Sequence, residues 1–249
     1  MQRGVQLAHR GPQADEDTVR AAARSAEVLG FHSLWAVDLR LAARWSGTPV
    51  ARGFDPLTAL ELAAASTERV GLGLHLSTGE GLAHSLGTLT QLMSADRVTV
   101  AVDLDGWGDD DLIDVLTRSR WPSDRAPLVS TGEATLGALI RFAAGWLATG
   151  RSVRAIDVAW ETVRAATGMG RGAPPSLVVR AEVDLTDRPL SRHRSSFCGS
   201  IEQVVDDLLE IERIGADVVV LAVPGERELD DVLGGYAAIA EGLELRSVP

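Results

Sequence analysis

Histidines and carboxylates at the ends of apolar runs are the residues in this sequence most able to do chemistry. His9 follows Val5–Ala8, and Asp38 follows Leu34–Val37. His75 lies at the end of Arg69–Leu76, and Asp103 and Asp105 follow Val98–Val102. A histidine titrates near neutral pH and suits proton transfer, and a carboxylate suits orientation or base catalysis. These groups form one site only if the runs end in one place. Ser130-Thr131-Gly132 closes a further run, Pro127–Val129, just before a helix. Small residues with free N–H groups there suit an anion such as a phosphate. Each group also has a plainer reading. Asp38 is either a site residue or a cap paired with Arg40 or Arg44; His9 and His75 are either proton carriers or ordinary hydrogen-bonded residues. Asp103 and Asp105 are an acid/base pair, a metal site or turn formers, and no resident metal is expected.

The elements that must position these residues follow a regular order. Helical spacing of Val19, Ala22, Ala23, Ala26 and Leu29, with Asp15 or Asp17 as cap, predicts a helix that stops at Gly30. The strand Leu34–Val37 comes next. Residues 39–54 read as a long loop carrying Arg40, Arg44, Trp45 and Arg52, and loops of that length are often functional. Asp55-Pro56 starts a helix reaching Thr67, and the strand Arg69–Leu76 follows. Further units are a helix from about His84 to Ala95 with strand Val98–Val102, and a helix with Asp109–Asp111 at its N-terminus and Leu112, Ile113, Val115 and Leu116 on its apolar face, with strand Pro127–Val129. After these come strand Gly145–Thr149, a helix capped by Ser152, and strand Leu177–Val183 ending at Asp184. A basic loop, 185–199, with Arg188, Arg192, His193 and Arg194 leads to a capping box at Ser200 and Gln203. Strand Val218–Val223 and a helix from about Glu226 to Ala240 close the chain. Eight strand-then-helix units demand a parallel sheet. Their number and the 249-residue length predict one closed (β/α)8 TIM barrel over residues 1–249. An open doubly wound sheet is the alternative, disfavoured because no G-x-G-x-x-G follows the first strand.

Bulk composition narrows the function. Hydrophobic content of 45% with 24% charged residues describes a chain with ample core. The formal charge of −11 argues against nucleic-acid and membrane-surface partners and leaves a small-molecule substrate. All 24 strongly basic residues are arginines, so Schiff-base chemistry, which needs a lysine amine, is excluded. The single cysteine, Cys198, forms no internal disulfide, and no leader or membrane span is evident, so a cytoplasmic protein is expected.

Five stretches, in order, resemble the bacterial luciferase-like flavin and deazaflavin oxidoreductases. They are Gly30–Asp38, Phe54–Gly73, Leu82–Arg97, Pro127–Gly150 and Phe197–Leu221. The resemblance implies an oxidoreductase or monooxygenase of the luciferase-like class. It would bind FMN or an 8-hydroxy-5-deazaflavin coenzyme at the C-terminal strand ends and act on a small organic substrate. It places the coenzyme phosphate at Ser130, Thr131 and Gly132 and implies a non-prolyl cis bond at His75-Leu76 beside the coenzyme ring. His9, Asp38, His75 and Asp103 would then serve catalysis, and Leu76 would touch the coenzyme. The sequence departs from the family pattern in three ways. Leu39 stands where many relatives have a histidine, the segment Trp107–Pro127 is short, and Asp103 and Asp105 replace glycines. Carboxylates there disfavour an anionic reduced flavin by like-charge repulsion. Two rival readings follow from those departures: a cofactor-free acid–base isomerase, cyclase or hydrolase, and a non-catalytic partner of an active homologue. A homodimer or a heterodimer with a homologue is the expected assembly. Trp45 and Trp107 read as pocket walls or packing, and His32, His84 and Cys198 as structural residues.

Overall fold

Strands with apolar side chains on both faces must be covered on both faces, which a parallel barrel ringed by helices achieves. The computed structural model describes the chain apart from residues 12–13, 48–51, 80, 93–96, 105–106, 120, 123–125, 131–136, 140–142, 168–173, 224–228 and 247–249. Its strands are β1 (Gln2–Gln6), β2 (Ser33–Val37), β3 (Gly71–Ser77), β4 (Val98–Asp103) and β5 (Leu128–Ser130). They continue with β6 (Gly145–Thr149), β7 (Ser176–Glu182), the short β8 (Asp184–Leu185) and β9 (Cys198–Gly199), and β10 (Val218–Ala222). Eight of them close a barrel in the order β1-β10-β7-β6-β5-β4-β3-β2, all pairs parallel. The predicted TIM barrel is therefore the observed fold. Among the described residues no helix is long and apolar enough to cross a membrane.

Alternation along each strand sorts the side chains. Leu34, Ala36, Leu72, Leu74, Val100, Val102, Val179 and Leu221 face outward into the layer beneath the helices. Trp35, Ala101, Leu128, Leu147, Val178 and Val220 fill the lower lumen as a second, separate core. Trp35 is the largest of these, and the neighbouring strands carry glycine where they meet it. A Cβ at Gly73 would lie 2.1 Å from the indole, and one at Gly4 would lie 2.5 Å from the Ser33 hydroxyl that accepts the indole N–H at 3.0 Å. The stretch Gly30–Asp38 thus contributes Trp35 to the barrel floor.

The helices are α1 (Glu16–Val28), α2 (Leu39–Ser46), α3 (Pro56–Ala64), α4 (Leu82–Leu92), α5 (Asp109–Arg118), α6 (Val153–Thr167), α7 (Ile201–Ile214) and α8 (Leu229–Arg246). Their caps are largely those the sequence predicts. Asp15 accepts from the Thr18 N–H at 2.7 Å, Asp55 from Leu57 at 2.9 Å, and Gln203 from Ser200 at 3.2 Å. Arg194 is the member of the basic loop with a defined task. It pairs with Asp207 at 2.6 and 2.9 Å, while Asp207 also holds the Phe197 N–H, fixing Phe197 at a left-handed φ of 64°.

Three expectations need correction. β1 spans Gln2–Gln6 rather than Val5–Ala8, because its inward positions are Gly4 and Gln6 and no apolar run marks it. His9 therefore lies three residues past the strand. Residues 39–46 form a helix rather than a loop: Asp38 caps α2, Leu41 and Ala42 bury its inner side, and Gly47 ends it at φ 68°. The His75–Leu76 peptide is trans. β3 keeps its ladder through Leu76↔Val102 and Ser77↔Asp103.

Candidate active site at the C-terminal mouth

Above the apolar floor the inward positions turn polar. Gln6, His75, Ser77, Asp103, Ser130, Thr149 and Arg180 are all buried, each on a different strand except His75 and Ser77, which share β3. Polar groups in a barrel interior cost stability unless they are hydrogen-bonded, so their pairing shows what the layer is built to do.

On one side, three strands join in a chain of contacts. His75 Nε2 lies 2.7 Å from Ser130 Oγ, and Ser130 Oγ donates to Asp103 Oδ2 at 3.4 Å. Asp103 Oδ1 pairs with the Arg44 guanidinium of α2 at 3.1 Å. The Ser130 hydroxyl has one proton and gives it to Asp103, so His75 must donate from Nε2. Its Nδ1 then presents a lone pair, fully buried and, among the described residues, without a hydrogen-bond partner. Burial, reinforced by the positive charges of Arg180 and Arg44 and opposed by Asp38, holds the His75 pKa down to about 3.

Asp38 anchors α2. Its carboxylate accepts from the Arg40 N–H at 2.8 Å and from the Arg40 guanidinium at 3.0 Å, and takes the Ser77 hydroxyl as well. Burial raises its pKa, but the hydrogen bonds from Arg40 and Ser77 outweigh that and hold it below the usual carboxylate range. His9 is wholly buried, with Nδ1 3.0 Å from the Leu7 carbonyl and Nε2 2.9 Å from that of Val37. Each ring nitrogen lies against a backbone carbonyl, one at the exit of β1 and one at the exit of β2; burial lowers the pKa, and the neutral ring donates its single N–H to one of the two.

Trp45 of α2 crosses the mouth. Its ring lies 5.5 Å from that of His75 on β3, and the Arg180 guanidinium of β7 sits 4.2 Å from the indole centroid. β3 and β7 are four strands apart in an eight-strand ring, so the indole bridges opposite walls. Arg180 is held in turn by Gln6 at 3.0 Å and Glu182 at 2.7 Å.

The structure thus brings His75, Asp103 and Ser130 together, with Asp38 beside them. It leaves His9 in a backbone clamp, and Leu76 points outward into the layer under the helices. Thr131, Gly132 and Asp105 lie outside the described residues. Trp107 packs on the outer core. Arg180, Thr149, Ser77 and Arg44 were not singled out as site residues by the sequence. Alternation along β7 carried a signal for Arg180, which shares its face with Val178 of the lumen.

Both buried histidines make a pH prediction. An unfolded histidine protonates near 6.5 and His75 only near 3, so the unfolded chain binds more protons between those values. Stability must fall as pH drops below about 6.5, by up to about 1.4 kcal/mol per pH unit for each such histidine. Urea unfolding between pH 6.5 and 4.5 checks it: His75→Gln should flatten the slope, and an unchanged slope in that variant would rule out a neutral buried His75.

No family model matches the chain, and no curated protein matches it. Solved structures do. Monooxygenase RslO1 from Streptomyces bottropensis is 15% identical over 99% of both chains, with a TM-score of 0.72. An F420-dependent secondary alcohol dehydrogenase, solved with an F420–acetone adduct, is 11% identical over 97% of this chain and 98% of its own, at 0.71. EDTA monooxygenase EmoA from Chelativorans sp. BNC1 is 12% identical over 100% and 95%, also at 0.71. The likeness is one of fold, and it spans the barrel these oxidoreductases share. As α2 lies, however, the residues do not fit a flavin ring in the mouth. Trp45 fills the space between His75 and Arg180, and Ser130 is wholly buried in its bonds to His75 and Asp103.

Proposed function

We propose that this chain is an oxidoreductase of the luciferase-like class that acts on a small organic substrate at the C-terminal mouth. The whole-length likeness of its barrel to dehydrogenase and monooxygenase structures carries the reading. The mouth supports it, because binding groups in such barrels gather at the strand C-termini. His75 Nδ1 is placed to accept a hydrogen bond from a substrate O–H or N–H, while Ser130 and Asp103 fix its tautomer. The redox chemistry would belong to FMN or a deazaflavin, and admitting either requires α2 to carry Trp45 aside.

The test is an equilibrium titration of the purified protein with FMN and with the deazaflavin, followed by absorption. One saturable site per chain for either coenzyme is expected. Absence of saturation with both, in wild type and with Trp45 removed, would contradict the reading. That outcome would favour a second one, a cofactor-free acid–base enzyme, for which the Asp103–Ser130–His75 chain beneath a closed mouth is the specific support.

A further inference from the structure

Polar residues stand on five neighbouring strands at the mouth: His75 on β3, Asp103 on β4, Ser130 on β5, Thr149 on β6 and Arg180 on β7. The first three are joined to one another, and Arg180 is held by Gln6 and Glu182. Thr149 lies between these two networks and belongs to neither. Alternation with Leu147 of the lumen core turns its side chain inward, and its Cα is in register with that of Arg180. It is 6% exposed, and its Oγ1 has no hydrogen-bond partner among the described residues. Among those residues the other buried side-chain nitrogen or oxygen in that condition is Nδ1 of His75.

An unpaired buried polar atom costs stability, and folded proteins hold few of them. Here both face the lumen near the C-terminal strand ends, on walls three strands apart, where such barrels bind their ligands. Their chemistry differs. The neutral imidazole, its proton held on Nε2, only accepts at Nδ1. The threonine hydroxyl donates or accepts, and the guanidinium of Arg180 on the next strand favours an electronegative oxygen beside it. Trp45 shows what body fits the span: its indole lies between His75 and Arg180, so a flat ring takes that place once α2 moves.

We propose that the mouth selects a flat hydroxy-carbonyl substrate, whose O–H donates to His75 Nδ1 and whose carbonyl oxygen accepts from the Thr149 hydroxyl. Thr149 is then a specificity-determining residue, and the substrate spans the mouth from β3 to β6. This rests on the mouth being the active site, as proposed above, and not on the identity of the coenzyme.

Two measurements test it. Thr149→Val removes the hydroxyl at nearly the same shape and should raise the unfolding midpoint by about 2–10 °C, whereas a hydroxyl bonded within the fold would give a fall. Calorimetric titration with 4-hydroxyacetophenone reads recognition, against acetophenone, which lacks its O–H, and 4-ethylphenol, which lacks its carbonyl. In Trp45→Ala the hydroxy-ketone should bind about 3- to 10-fold more tightly than either. Adding Thr149→Val should abolish the preference over 4-ethylphenol and keep the preference over acetophenone; Thr149→Ser in its place should restore both. A fall in midpoint, or an unchanged preference in the Thr149→Val protein, overturns the proposal. Equal binding of the three compounds in Trp45→Ala, or binding of none, does so even if the threonine variants do not fold. If Thr149→Val weakens FMN but not riboflavin, the hydroxyl serves the coenzyme phosphate and the substrate assignment falls. Discrimination among the three compounds without any coenzyme binding would sink the oxidoreductase reading and leave this site standing; coenzyme binding without discrimination would do the reverse.

Discussion

Trp35→Ala should cost about 3–5 kcal/mol of stability, the range for emptying a large aromatic from a packed core. For a chain of this length that is a fall of about 6–20 °C in the unfolding midpoint. The indole is 3% exposed and is the largest side chain of the lower lumen core. The two strands beside it are shaped to its outline, since Gly73 and Gly4 stand where a Cβ would collide. Gly73→Ala attacks the same contact from the other side and should cost about 1–3 kcal/mol through overpacking. Once the indole is gone that clash is gone, so the double variant should lose less than the two single losses together. Denaturant unfolding of the three variants decides the point. Strict additivity, or a loss under about 1 kcal/mol for Trp35→Ala, would mean that the floor is not packed as described.

Trp45→Ala should act in the opposite sense on binding. The indole meets His75 at 5.5 Å and Arg180 at 4.2 Å, contacts of the aromatic-pair and cation–π kinds. Together these are worth roughly 1–3 kcal/mol. Any ring that enters the mouth must first forfeit them, and a binding-competent state populated to that reduced fraction weakens apparent affinity in proportion. Removing the indole should therefore tighten coenzyme binding by roughly 5- to 150-fold. The cap of α2 by Asp38 is left in place, so the helix itself should survive.

The barrel was legible because its outward strand positions are apolar and its helices carry readable caps, as at Asp55 and at Ser200 with Gln203. β1 was misplaced for the converse reason: with Gly4 and Gln6 inward, its pairing with β2 and β10 is set by neighbours rather than by its own pattern. α2 was hidden because Leu39–Ser46 is short and rich in arginine, and its helical state depends on the Asp38 cap and on burial of Leu41 and Ala42 against the barrel. His75, Asp103 and Ser130 were each found at or near strand ends. Their contact was not, because it depends on the stagger of three strands that pairs Ser77 with Asp103 and Asp103 with Ser130. His9 shows the limit of reasoning from residue type. A histidine past a strand end suits catalysis, yet here both its nitrogens face backbone carbonyls.

The central proposal is that this (β/α)8 barrel is an oxidoreductase of the luciferase-like class whose coenzyme place is held shut by Trp45. Parallel titration of wild type and Trp45→Ala with FMN and with the deazaflavin tests it most directly, with binding followed by absorption. The account predicts saturable binding of one of the two coenzymes, tighter in Trp45→Ala by roughly 5- to 150-fold. Equal affinity in both proteins would contradict the closed mouth, and no binding in either would contradict the oxidoreductase assignment itself.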